Sequence, residues 1–293
     1  MKYINILIAL SAALLLLSCQ KETDGSPGGL PMRVVPTLAG GETKGSLTTD
    51  DLQEFWLIVD CPSDANYSYR AKFSKSGSAW TSPRQLYWKD KTTPIDYYAL
   101  LFGNHSFQKD ELTDGFSMEI PTDQSSQEGL NAADLLFFSA SDITYDSTVD
   151  GQLPVNFKHG LTRVTLDLSL GSEFFDNGYG LTDNPVTKLV IKGACRRFSY
   201  QPLTDTIMPD SRSHDADFTP LFVSYTPGTA ASKTAVVTYE AILVPQILNP
   251  GDLKVSFNVG KRKYVWANTE VITLPAGRCC TLPVIATMAP THK

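Results

Sequence analysis

Basic runs, catalytic signatures and histidine are all scarce in this sequence. No Lys/Arg block is longer than Lys261-Arg262-Lys263, and 25 basic against 31 acidic residues leave a formal charge of −6. Nothing in that balance draws the chain to a polyanion such as nucleic acid. There is no G-x-S-x-G, H-E-x-x-H, G-x-G-x-x-G or P-loop, which removes the motif-borne hydrolase, zinc-protease and nucleotide-binding classes. The four histidines, His105, His159, His214 and His292, lie far apart. The segment His214-Asp215-Ala216-Asp217 offers only two carboxylates and no turn glycine, too little for a cation loop. No nucleophile–base or paired-carboxylate pattern stands out, so the chain reads as a non-enzyme with no metal and no cofactor.

Cysteine is also sparse, at five in 293 residues, and no C-x-x-C is present to suggest structural zinc. Cys61, Cys195, Cys279 and Cys280 permit three pairings, among which the sequence does not choose. Neighbours on a strand point to opposite faces, so Cys279 and Cys280 do not both enter one core.

What is present begins with the first twenty residues. Lys2 precedes an apolar run from Ile4 to Leu17, then Ser18 and Cys19. A helix of that length spans about 21 Å, short of a hydrocarbon core of about 30 Å but right for a signal peptide. Leu16-Leu17-Ser18-Cys19 has the form of a lipobox, so residues 1–18 are expected to be removed and Cys19 to carry a lipid. Residues 19–30 are polar and Gly-rich and read as a flexible tether.

The remainder is expected to be all-β. Short runs of β-branched and aromatic residues are bounded by Gly, Pro, Asn and Asp, with no sustained helical period. Met32, Val34, Pro36 and Leu38 alternate with Arg33, Val35 and Thr37, the pattern of a strand buried on one face. Pro36 has no N–H, which assigns this strand to a sheet edge. Further strands are expected at Glu54–Val59, Tyr67–Phe73, Gln85–Trp88, Ile95–Phe102, Phe116–Ile120 and Leu135–Ser139. The second half offers a similar number, including Thr162–Leu170, Ala235–Val244 and Leu282–Met288. Two β-sandwiches in series are expected, at 31–150 and 151–293, divided by the polar stretch 142–151.

Aromatics form one more candidate surface. Trp80, Tyr87, Trp88, Tyr97 and Tyr98 fall within about twenty residues and could stack on sugar rings. The strand-like alternation around them favours core positions instead. The competing function is accordingly a surface glycan-binding lipoprotein of a polysaccharide uptake system.

Several segments together resemble the fimbrillin family, the lipoprotein pilins of type V pili. They are the Cys19 lipobox, Lys44 in Glu42-Thr43-Lys44-Gly45, and Leu86-Tyr87-Trp88 followed by Ile95-Asp96-Tyr97-Tyr98-Ala99. The second half adds Phe157-Lys158-His159-Gly160-Leu161-Thr162-Arg163-Val164, Tyr239 through Gln246, and Leu274-Pro275-Ala276-Gly277 before Thr281-Leu282-Pro283-Val284. The resemblance runs in order along almost the whole chain.

It implies two transthyretin-like Greek-key β-sandwiches in a fimbrial subunit or tip or ancillary adhesin on the outer membrane and cell surface. It also implies assembly by proteolysis-triggered donor-strand exchange. A cut after Lys44 would release residues 19–44 and with them the edge strand of Met32, Val34, Pro36 and Leu38. Leu282, Val284, Ala286 and Met288 share that strand's spacing and form a candidate donor or terminal strand. Other pilus subunits are the implied partners, with the membrane engaged through the lipid.

Overall fold

The computed structural model describes residues 29–38, 47–180 and 182–287. The chain is almost entirely β. Its first half supplies strands β1 (Arg33–Leu38), β2 (Glu54–Asp60), β3 (Ser68–Ser76), β4 (Ala79–Thr81), β5 (Ile95–Phe102), β6 (Phe116–Glu119), β7 (Leu135–Ile143) and β8 (Gln152–His159). All but β6 form one seven-stranded sheet in the order β1-β8-β7-β5-β2-β3-β4, with β1 at one edge. β8 pairs with β1 over Gln152–Phe157 but with β7 only at Lys158 and His159. The sheet therefore turns a corner along β8 and folds over itself.

Inside the fold lies one hydrophobic core. Met32, Val34 and Leu38 meet Leu153, Val155 and Phe157 from β8, and Phe55, Leu57, Val59, Tyr97 and Ala99 from the facing strands. Phe55 anchors it, with ring contacts to Phe73, Trp80 and Phe157 at 5.5, 5.2 and 5.4 Å. Tyr97 hydroxyl donates to the Pro154 carbonyl at 2.6 Å. Burial pushes its pKa up to about 12, so it stays a donor at every physiological pH.

The second half builds a second core between two four-stranded sheets. The first comprises β14 (Leu221–Thr226), β15 (Ala235–Leu243), β9 (Thr162–Leu170) and β18 (Cys279–Ala286), in that spatial order. The other comprises β13 (Asp217–Phe218), β10 (Val186–Lys192), β16 (Lys254–Val259) and β17 (Arg262–Ala267). The chain crosses from the first sheet to this region at Gly160–Leu161, beyond the polar stretch 142–151, because β8 is needed to carry β1.

One strand departs from the expected division. β6 pairs not with its own half but with β11 (Arg197–Gln201), which also pairs with β12 (Thr206–Pro209). This small sheet covers the outer face of the first one through Phe102–Phe198 and Phe137–Tyr200 ring contacts, both at 5.6 Å. Gln124, fully buried, adds a clamp: its amide donates to the Ile242 carbonyl at 2.9 Å and accepts from the Ile242 N–H at 2.7 Å. Alternation along residues 116–120 reports a buried face but not which strand covers it.

Among the described residues, no helix is long and apolar enough to cross a membrane, and no group of His, Cys, Asp and Glu is arranged to hold a metal ion.

Candidate functional site at the outer edge of the first sheet

β1 alternates as its sequence dictates. Val34, Pro36 and Leu38 are buried, with Met32 just ahead of them, whereas Arg33, Val35 and Thr37 face outward. Val35 is 43% exposed and Val34 only 7%, so one strand presents a dry face and a wet face. The ladder to β8 is parallel and runs from Arg33↔Gln152 to Leu38↔Phe157. Beside β1, on the same inward face of the sheet, lie Leu153, Val155 and Phe157 of β8, none with measurable exposure. Each inward side chain of β1 is worth about 1.5–3 kcal/mol when fully buried, so the strand contributes a sizeable part of this core.

The hydrogen-bond phase identifies what faces away from the sheet. Arg33 N–H donates to the Gly151 carbonyl, which directs the main-chain groups of residues 33, 35 and 37 toward β8 and those of 32, 34, 36 and 38 outward. The outward groups are largely occupied. Met32 N–H donates to the Leu86 carbonyl at 2.9 Å, and Leu38 N–H donates to Thr49 Oγ1 at 2.8 Å. Pro36 has no N–H, which leaves Val34 as the outward main-chain donor without a partner among the described residues. The sequence marked Gln85–Trp88 as a strand but not as the neighbour of this edge, and Thr49 carried no signal at all.

Gly151 serves the strand twice. Its carbonyl accepts from Arg33 N–H and from Trp88 Nε1–H, the latter at 3.1 Å. Its φ is +70°, and a Cβ there would stand 2.6 Å from the Tyr145 ring, so only glycine fits.

Thr49 beside Leu38 brings the chain back to the end of β1 soon after it leaves. Leu47, where the described chain resumes, is itself buried. Lys44 falls in the connection 39–46, outside the described residues, as do Cys19 and most of the expected tether 19–30. Leu30, at the end of that tether, lies opposite Trp88 in a short antiparallel pair.

The C-terminal strand has a counterpart geometry. Leu282, Val284 and Ala286 of β18 are buried, and β18 runs parallel to β9 from Arg163↔Cys279 to Leu170↔Ala286 at the edge of its sheet. These residues complete the chain's own second core. Met288 lies outside the described residues. Cys279 is exposed and Cys280 half-buried on this strand, whereas Cys61 and Cys195 are buried in different cores.

The aromatic platform does not assemble. Trp88 is 3% exposed, and its indole meets Tyr145 edge-on at 6.0 Å. Trp80 packs on Phe55, and Tyr97 and Tyr98 are buried. Of the histidines, His105 binds Glu111, His159 binds Asp134, and His214 Nδ1 meets the Gly193 carbonyl, at three separate places. His292 lies outside the described residues.

Comparison with known proteins agrees with this architecture. The family model described as fimbrillin-like matches residues 47–287. A candidate cell adhesion protein of Bacteroides ovatus superposes with a TM-score of 0.62 at 14% identity, over 88% of this chain and 92% of that one. One from Bacteroides uniformis gives 0.59 at 12% identity, over 88% and 94%. No curated protein matches the sequence. With its family model spanning both cores, the chain belongs to the fimbrillin-like family, and so to the non-enzymatic proteins of fimbriae.

Proposed function

We propose that this chain is a lipid-anchored fimbrial subunit or tip or ancillary adhesin, held at the outer membrane through Cys19 and activated by cleavage after Lys44. The cut frees β1, and a strand from another subunit takes its place. The observation that carries this reading is the edge position of β1: it ends a sheet, contributes Met32, Val34, Pro36 and Leu38 to a core, and is followed at once by the connection that holds Lys44. Its loss uncovers Leu153, Val155 and Phe157. Refilling four apolar pockets at roughly 1–2 kcal/mol each, together with main-chain bonds, makes a durable junction.

β18 is spent on β9 along its whole length, which favours a subunit that accepts a strand rather than one that gives its own. Such a subunit sits at an end of an assembly.

The test begins with N-terminal sequencing of protein recovered from cells. A blocked Cys19 identifies the retained form, and a free Gly45 the processed one. A labelled peptide of residues 30–44 is then added to chain cut by a Lys-specific protease. Exchange of the peptide into the cut protein is expected; failure to exchange, with Cys19 as the sole N-terminus in cells, overturns the proposal.

A further inference from the structure

The outer face of the first sheet carries a second feature, unrelated to β1. β2 begins at Glu54 and β5 runs on to Phe102, yet their pairing stops at Trp56↔Leu100. Where the two strands part, a cavity of about 280 Å³ opens, lined by Glu54, Trp56, Lys72, Asn104, His105 and Ser106.

Its walls are braced. Arg70 lies over the Trp56 ring with its guanidinium carbon 3.9 Å from the centroid. The same guanidinium donates to the Phe107 carbonyl and, at 2.6 Å, to Ser106 Oγ. His105 is held by Glu111 at 2.9 Å and by the Phe107 ring, 4.5 Å away. A loop fixed in this way loses little entropy when a ligand arrives. Two sets of polar groups take no part in the bracing. Asn104 is exposed and its side chain has no hydrogen-bond partner among the described residues. Among the described residues Glu54 and Lys72 form an ion pair only with each other, at 2.7 Å, each side chain 40% exposed.

These groups define the chemistry of an occupant. Glu54 and Lys72 cancel in charge, so the cleft does not select a free ion. It offers a carboxylate acceptor, an ammonium donor and an amide that is both, beside an indole. A ring with hydroxyls on its rim and C–H bonds on its face meets all four demands. The volume of about 280 Å³ lies just below the roughly 300 Å³ at which drug-sized sites begin, a size that suits one ring.

We infer that this cleft binds a single pyranose unit of a glycan, with Glu54, Lys72 and Asn104 as its hydrogen-bonding groups and Trp56 as its apolar wall. The inference rests on the adhesin half of the proposed function and not on strand exchange, because the cleft and β1 lie on different parts of the sheet. Testing the uncut full chain keeps the two apart.

The probes are galactose, N-acetylglucosamine, fucose and N-acetylneuraminic acid, each followed by saturation-transfer NMR at millimolar concentration. Transfer to at least one neutral pyranose is expected, and Asn104→Ala and Glu54→Gln are each expected to weaken it about tenfold, the loss of one strong hydrogen bond. Both substitutions lie at partly or fully exposed positions, and unchanged circular dichroism verifies that the variants fold. No transfer to any of the sugars overturns the inference, as does transfer that both variants leave unchanged.

Discussion

Pro36 and Pro283 occupy matching positions at opposite ends of the chain. Each sits inside a strand at a sheet edge, in a parallel ladder, with its missing N–H on the free side. The phase follows from Arg33 N–H donating to Gly151 and from Arg163 N–H donating to the Arg278 carbonyl, which sends the main-chain groups of residues 279, 281, 283 and 285 outward. A proline in the middle of an edge interrupts the row of donors that another strand would need. Each proline thus takes one donor from the free side of its edge strand, and under the proposed strand exchange a second chain would gain the full edge only once β1 has left.

Restoring that donor has a measurable effect. Pro36→Val keeps the buried apolar side chain and adds an outward N–H. The uncut variant is expected to self-associate at concentrations where the parent is monomeric, and light scattering after size exclusion reports the difference. A monomeric variant would show that the proline does not guard this edge.

Phe157 ties β1 to the opposite layer, with no measurable exposure and the Phe55 ring edge-on at 5.4 Å. Phe157→Ala is expected to destabilise the protein by about 3–5 kcal/mol, from lost transfer energy plus the cavity left behind. Urea unfolding followed by fluorescence measures it. A loss below about 1 kcal/mol would mean that the side chains flanking β1 are not a packed core.

Trp88 separates a core role from a glycan platform. Truncation to Ala removes a buried indole and its hydrogen bond to Gly151, and is expected to lower stability by about 3–5 kcal/mol. If Trp88→Ala instead unfolds like the parent and loses retention on a polysaccharide gel, the ring is a binding surface.

His159 makes stability depend on pH. Burial alone lowers its pKa, but the hydrogen bond that Nδ1–H donates to the Asp134 carboxylate at 2.7 Å and the charge of that carboxylate outweigh burial, and the nearby Arg163 opposes them only in part. The net direction is upward from 6.5. The folded state therefore holds this proton more tightly than the unfolded one. Its contribution is complete below about pH 6.5 and disappears as pH rises through the raised value. Thermal melts from pH 5.5 upward are expected to show this decline, and His159→Gln to flatten it. An unflattened profile would assign the slope to another group.

The edge strand was legible because two local signals coincide in it: period-2 burial from Met32 to Leu38 and a proline that no central strand accommodates. The last strand was legible from the alternation of Leu282, Val284 and Ala286 alone, although it starts earlier, at Cys279, than the expected Leu282. The partners of strands were not. Phe116 and Met118 announce a buried face, yet their neighbour, Arg197–Gln201, lies far along the chain and leaves no mark on the local pattern. The crossing at Gly160–Leu161 was hidden similarly, since a turn-rich stretch such as 142–151 looks the same inside a sheet as between two. The Thr49 and Leu86 contacts that close the free side of β1 are single hydrogen bonds from loops, and the cleft beside Trp56 comes from two strands diverging. Both are properties of geometry rather than of residue type.

Both end strands run parallel to their partners, and those partners, β8 and β9, follow one another in the chain. Tension applied between the two ends of the molecule would draw β1 backward against β8 and β18 forward against β9. Each ladder is then loaded in shear, its bonds sharing the force along the strand instead of opening in turn. The two edges would then resist such a pull at once.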